Sequence, residues 1–476
     1  MNFREGSEIV ASVLHSPTET FRILLLRRDG SEILLSSTGA VFSLLEVAIP
    51  RCQRTAEHVN AEMKRRWNLD VISLFSPDFG SDAMEGSRLN YFAVESARPN
   101  ARPPAGLFWT PVPTLTNTSF SNSQDFGAIR QFLADCNLGL QDKPTGPFGK
   151  PGWFREVSRW VQNEIDSLDL HLNGRFQQFN ASPTFSLIRF ETDRVAVWFK
   201  AVGEPNLREF PITLALAKLI PSYIPRLLAS RRDWNAWLVR EAEGSELFAT
   251  ADVDQWEMAS QALASAQVES ASKAEGLLAL GARDARVTSL LQCIDPFFQA
   301  SAEAMARQTK KAPAALKDSE LRILKMEVKD ALHELETTGF PNACGHLDLN
   351  PRNIIVAPGK CTFLDWAEAT VGHPVLSCEY LLEHFRGAFP GNRDGQVRLT
   401  ERYVAAWAAL KPPCDMYAAL AVAPLLAVFA YAATCTDWRD PRCFVQAERA
   451  AYLRSLTRRM KHEADRLTEA RDPCRT

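Results

Sequence analysis

The stretch from Gly345 to Trp366, GHLDLNPRNIIVAPGKCTFLDW, constrains this chain more than any other. His346 precedes Asp348 by two residues, and Asn353 follows Asp348 by five. Ile354-Ile355-Val356 begins an apolar run, Ala357-Pro358-Gly359-Lys360 reads as a turn, and a second apolar run closes on Asp365. Two short apolar runs about a Pro-Gly turn predict a β-hairpin. Such a hairpin brings Asn353 at one end close to Asp365 at the other, with Asp348 on the loop that enters it. Two carboxylates and an amide converging on one spot suit the holding of magnesium on a nucleotide and the acceptance of a proton from an attacking hydroxyl.

These residues resemble the catalytic and metal loops of the aminoglycoside phosphotransferase and choline kinase type of small-molecule kinase, relatives of the protein kinases. Members read close to HGDLHPGN, followed by a strand pair ending in Asp-Trp or Asp-Phe. Leu347 stands at the first Gly and Arg352 at the second, while the three chemical positions match. The resemblance implies an α+β, bilobal protein kinase-like fold, with a small β-rich lobe and a large helical lobe. It implies ATP and Mg2+ as cofactors and a small-molecule hydroxyl as phosphate acceptor. Asp348 is then the base, Asn353 and Asp365 the metal ligands, and His346 a catalytic-loop residue that supports the loop by hydrogen bonding.

The same resemblance assigns residues upstream. Lys200 lies in VWFKAV, an apolar strand pattern with one Lys, and would neutralise the α- and β-phosphates. Glu209 opens the helix pattern NLREFPITLALAKLIP and would hold that Lys; Glu204 is the other candidate. Ser182 and Thr184, in the turn Asn180-Ala181-Ser182-Pro183-Thr184, would offer hydroxyls and backbone N–H groups to phosphate. Glu241 and Ala242, after the apolar Trp237-Leu238-Val239, fall at the hinge that binds adenine through its backbone, which leaves ATP and GTP equally open. Downstream, Gly372-His373-Pro374 stands where members have Gly-Asp-Pro, and Cys378 stands near an Asp that braces the catalytic loop. That departure implies a less firmly held loop.

Residues 1–112 read as a separate α/β unit. Strand patterns at Phe21 to Arg28 and Ser31 to Ser37 flank Asp29-Gly30, a hairpin signal. Phe42 to Ile49 is one further apolar run, and Thr55 to Trp67 is a helix pattern with Thr55 as cap. Strand-like runs follow at Val71 to Phe75, Asn90 to Glu95 and Leu107 to Val112. The order resembles a Nudix hydrolase domain, but Glu62 is the one acid kept from the metal-binding helix. Arg65 and Arg66 replace the paired Glu residues, and Asn68 replaces a Gly. Two cations in place of two ligands repel magnesium, so this domain is expected to be inactive.

Residues 113–170 read as a linker with bridging helices, one near Phe126 to Cys136 and an amphipathic one from Trp153 to Leu168. The Pro/Gly stretch Lys143 to Gly152 separates them. Residues 171–248 are assigned to the small lobe and 249–476 to the large lobe. Residues 249 to 340 are expected to be helical before the opening motif, and those beyond 395 again helical.

A chain of 476 residues with 46% apolar and 23% charged content has room for two or three globular domains. A net charge of -3 argues against a broad nucleic-acid face. Ten scattered cysteines without zinc spacing, and an N-terminus without an apolar leader, fit reduced thiols in a cytoplasmic protein. Met416 to Thr434 is uncharged and nearly long enough to span a bilayer. Its alanine content and Pro424 favour a buried helix pair, so no membrane partner is expected. Oligomeric state is not legible. Acids such as Glu368, Glu379 and Glu383 are the residues a cationic acceptor would meet. The alternative function is a catalytically weak nucleotide-binding regulator, a pseudokinase whose Nudix-like domain senses a ligand.

Overall fold

The computed structural model describes residues 18–27, 31–39, 41–51, 54–77, 89–98, 100, 102–137 and 147–471. The Asp29-Gly30 turn and the first part of the Pro/Gly stretch, Lys143 to Gly146, lie outside the described residues. The chain forms two compact units. One comprises the residues up to Phe210 together with Arg226–Glu241, and the other Pro211–Pro225 together with Ala242–Thr476.

The first unit begins with β1 (Thr18–Leu26), β2 (Glu32–Thr38), β3 (Val41–Ser43) and β4 (Leu45–Pro50), then α1 (Thr55–Trp67), β5 (Val71–Phe75), β6 (Asn90–Ser96) and β7 (Leu107–Pro111). They form one seven-stranded sheet in the order β3-β2-β1-β6-β5, with β4 also on β1 and β7 also on β2. The run expected as one strand from Phe42 splits at Leu44, because β3 pairs with β2 and β4 pairs with β1. β1 and β6 are parallel. Phe21 and Ile23 to Leu26 of β1 are all buried because both faces of the sheet are covered. Phe21, Ile23 and Leu25 face a core closed by Ala56, Val59 and Met63 of α1. Leu24 and Leu26 face the opposite core. Thr55 is not the cap of α1; Arg54 occupies that position and no side chain caps the helix. Asn68 ends it with φ 53°, a left-handed conformation that Asn tolerates better than most residues in the place of a Gly.

Next come α2 (Ser123–Asn137) and α3 (Trp153–Asp166), then β8 (Leu172–Ala181), β9 (Ser186–Thr192) and β10 (Val197–Ala201). The N-terminus of α4 (Glu209–Leu219) follows, then β11 (Leu227–Arg231) and β12 (Ala236–Arg240). The second sheet is antiparallel in the order β11-β12-β10-β9-β8, which puts β10 at its centre. Trp153, Val157, Val161 and Ile165 of α3 are buried in one core with Leu24 and Ile72 of the first sheet and Phe190, Phe199 and Leu238 of the second. Phe148 stands edge-on to Trp153, Phe199 and Trp234 within it. The described part of the linker therefore contributes side chains to the core of this unit.

The second unit is mainly helical. Its elements are β13 (Ser245–Glu246), α5 (Val253–Ala271), α6 (Ala274–Ala279), β14 (Arg283–Ala285), α7 (Val287–Ala306), α8 (Asp318–Thr337), β15 (Ala343–His346), β16 (Ile354–Ala357), β17 (Lys360–Phe363) and β18 (Ala369–Gly372). Four helices finish it: α9 (Val375–Ala388), α10 (Arg393–Trp407), α11 (Pro413–Cys435) and α12 (Ala447–Arg471). The segment expected to be helical up to residue 340 contains β14, which runs parallel to β18 far along the chain. Two small sheets, β13-β16-β17 and β14-β18-β15, carry the loop that follows His346. The expected helix pair around Pro424 is one continuous helix, α11, long and apolar enough to cross a membrane. Its Met416, Val422, Leu426, Phe429 and Ala433 are buried in the core of this unit.

Candidate active site

Lys200 sits on β10 between Leu187 of β9 and Trp237 of β12. Its neighbours Phe199 and Ala201 point into the core, so Lys200 emerges on the other face. Nζ lies 2.5 Å from Glu209 Oε1, and the Glu209 side chain is almost wholly buried. A buried carboxylate is tolerated when it is paired and hydrogen-bonded. The ammonium also lies 5.6 Å from the Trp237 ring and 5.9 Å from Phe185. Glu204, the other candidate partner, is exposed and precedes the helix.

The β8–β9 turn lies beside this pair. Ser182 N–H donates to Phe185 O at 2.9 Å, and Thr184 N–H donates to Ser182 Oγ at 3.2 Å. Thr184 presses on Gly203 so closely that a Cβ there would stand 2.3 Å from Thr184 Cβ. Gly203 is thus what lets the turn close over the end of the Lys200 strand. Glu241 behaves otherwise than a free hinge residue. Its backbone N–H donates to Ala196 O at 3.0 Å, and its carboxylate takes Arg189 and the Trp198 indole. Those bonds hold its carboxyl below the usual range, the Arg189 hydrogen bond foremost. Ala242 is the next residue, partly exposed and the first of the second unit after β12.

In the second unit the predicted hairpin forms, with Ile354 opposite Phe363 and Ala357 opposite Lys360. Leu364 N–H extends it by donating to Asn353 O at 2.8 Å. This sets Asp365 next to Asn353. Asp365 is exposed and has φ 59°, a left-handed conformation that Asp accepts more readily than most residues. Asn353 Nδ2 donates to Asp348 O at 3.3 Å, which leaves Oδ1 without a donor among the described residues. His346, wholly buried, joins the two loops. Asp348 N–H donates to its Nδ1 at 3.2 Å, and Nε2 lies 3.0 Å from Leu364 O. That pattern assigns the ring proton to Nε2, which donates to the carbonyl. Burial pushes the Asp348 carboxyl up; His346 opposes this, and Asp365 and Glu368 add to it.

A residue the sequence reading passed over holds the loop from below. Ser377 Oγ accepts the His346 N–H at 2.7 Å. Cys378 itself is buried, with burial raising its thiol pKa, and it makes no such contact. The signal was one position away: a hydroxyl in the first turn of the helix after Gly-His-Pro. Gly345 is required beside it, since a Cβ there would meet Thr370 Oγ1 at 2.6 Å and Ser377 Oγ at 2.7 Å. The three acids offered to a cationic acceptor are each paired: Glu368 with Arg283, Glu379 with Arg386 and Glu383 with Arg459. Arg352 lies 3.8 Å from the Phe248 ring centre and 3.5 Å from Glu246, tying the loop that follows His346 to β13.

Residues 204–421 match the family model described as the phosphotransferase enzyme family. The span, just under half of the chain, holds Glu209, the β16–β17 hairpin and α9, so this portion is similar to phosphotransferases. No curated protein matches the chain in sequence. Among solved structures, the chain is similar to the Plasmodium vivax ethanolamine kinase, with 12% identity over 64% of this chain and 84% of that one, at a TM-score of 0.43. It is similar to the choline kinase from Cryptosporidium parvum Iowa II, with 9% identity over 67% and 97%, at a TM-score of 0.46. A macrolide 2'-phosphotransferase type I gives 14% identity over 62% and 95%, at a TM-score of 0.41.

Proposed function

We propose that this chain moves the γ-phosphate of ATP to a hydroxyl of a small molecule, with Asp348 as base and Mg2+ held by Asn353 and Asp365. The observation that carries the reading is the bonded set around His346, which fixes Asp348, Asn353 and the loop of Asp365 to one another. The donor chemistry suits magnesium: an exposed carboxylate and an amide oxygen are hard ligands. Among the described residues no group of three or more His, Cys, Asp or Glu forms a metal cage. Two protein ligands leave the remaining positions to phosphate oxygens and water, the usual arrangement for this ion on a nucleotide. When bound, the ion offsets phosphate charge as it shifts to the leaving group.

Asp348 accepts the acceptor's hydroxyl proton as the oxygen forms its bond to the γ-phosphorus and the bond to the ADP oxygen breaks. Lys200, oriented by Glu209, neutralises the α- and β-phosphates. Ser377 supports the loop at the point where the expected Asp is missing, which favours an active enzyme over a regulator that has lost catalysis. The intact protein should release ADP with one screened hydroxyl compound, among amino sugars, amino alcohols, nucleosides and sugars. Asp348→Asn should reduce that rate by about a hundredfold or more, with the MgATP thermal shift kept. Full activity in the variant, or no MgATP thermal shift in the parent, would overturn the assignment.

A further inference from the structure

A groove of about 490 Å³ runs between α1 and β8, within the first unit. Its size is that of a small-molecule site. Its floor is aromatic: Phe154 lies 4.5 Å from Phe176 and stacks on Phe190 at 5.7 Å between ring centres. Its charged rim is unbalanced toward positive. Lys64 and Arg98 share one carboxylate, Asp70, at 2.8 and 3.0 Å. Glu57 already faces Arg54 and the Gln177 amide. Arg175 has no carboxylate partner among the described residues and is exposed.

The shape of β8 makes the groove. Leu172 pairs with Thr192 but Phe176 with Phe190, so β8 carries two more residues than β9 between these pairs. Gly174, at φ 84°, lies in that bulge and lets the strand edge bow outward. Arg175 follows it into the groove wall. Beyond the bulge, Gln178 fastens β8 to the first sheet. Its Oε1 accepts the Ser73 N–H at 2.8 Å, and its Nε2 donates to Ser73 O at 2.9 Å. Four residues later the same strand becomes the Ser182–Thr184 turn, whose Pro183 lies against Gly149.

We propose that this groove is a binding site for a small aromatic anion, and that its occupancy is felt at the Ser182–Thr184 turn through β8. Rings fill the floor, and the anionic group meets Arg175 and the cations that share Asp70. The transmission to nucleotide rests on the reading of that turn as a phosphate site, whereas the binding itself does not.

Calorimetry on the intact chain tests it with 1-naphthyl phosphate, which has a ring and an anion but no free hydroxyl to accept phosphate. The same ring carrying a cation, 1-naphthylmethylammonium, is the control. The anion should bind near one per chain and at least about tenfold tighter than the cation. Arg175→Glu, at an exposed position, should weaken it about tenfold, and Ser158→Trp, which fills the groove, should remove it. Binding should persist under saturating MgATP, whose own affinity should shift about fivefold with the probe present. Equal affinity for both probes, indifference to Arg175→Glu, or competition with MgATP would each overturn the site. An unchanged MgATP affinity with the probe bound would remove the transmission and leave the site.

Discussion

His373 and Glu379 bracket the first turn of α9, and their environments push their protons in opposite directions. Burial lowers the His373 pKa to about 3 from 6.5; its ring lies 3.2 Å from Thr338 Oγ1 and accepts from Val375 N–H. Burial raises the Glu379 pKa to about 7 from 4.5, although Arg386 opposes it. Between pH 3 and 6.5 the unfolded chain binds a proton at His373 that the native state refuses. Stability from this group is therefore complete above 6.5 and is lost as pH falls. Between 4.5 and 7 the native state holds a proton at Glu379 that the unfolded chain releases, so stability falls as pH rises and the penalty is complete above 7. Each slope is about 1.4 kcal/mol per pH unit, and the two oppose one another from 4.5 to 6.5. His373→Gln should tilt the melting temperature downward with rising pH across that window, and Glu379→Gln should tilt it upward. Curves parallel to the parent in both variants would refute the assignment. At this scale the sequence told where Asp348, Asn353 and Asp365 stand along the chain. It pointed to Cys378 rather than Ser377 because a bracing role was read by position, not by which neighbour offers an oxygen.

Among elements, the hairpin β16–β17 was readable because its information is local: two apolar runs and a Pro-Gly turn. β14 was not readable, because three residues form a strand only by pairing with β18, and nothing within Arg283–Ala285 encodes that partner. The attachment of β13 to β16 is equally nonlocal and rests on Gly244. At φ 119°, a Cβ there would lie 2.1 Å from Val356 O. Backbone cannot yield as a flexible side chain would, so Gly244→Ala should break the pairing of Ser245 with Val356 and of Glu246 with Ile355. The loss should be about 2 kcal/mol or more. It should show as a lower guanidinium midpoint, together with reduced turnover as Arg352 loses Glu246. A variant that unfolds and turns over as the parent does would show that β13 is dispensable.

At the scale of the molecule, composition shifts suggested a cut near residue 112, since polar and Pro/Gly-rich stretches usually mark linkers. The apolar contacts do not respect that cut. Ile129, Phe132, Phe148 and Trp153 belong to the same core as Leu35 and Leu74 on one side and Ile188 and Val197 on the other. Such sharing is invisible along a chain, because an apolar residue carries no mark of which sheet it will face. A chain beginning at residue 113 should therefore lose cooperative melting of its small lobe and aggregate when expressed, with MgATP binding weakened alongside. If it stays monomeric and melts and binds MgATP as the full chain does, the shared core contributes little. The consequence reaches into descent. Segments that recombine freely among genes are those whose interiors close on themselves, and here Leu24 and Phe199 line one interior. An exchange that carried off either sheet alone would leave two open apolar faces, so the two are constrained to be inherited as one piece.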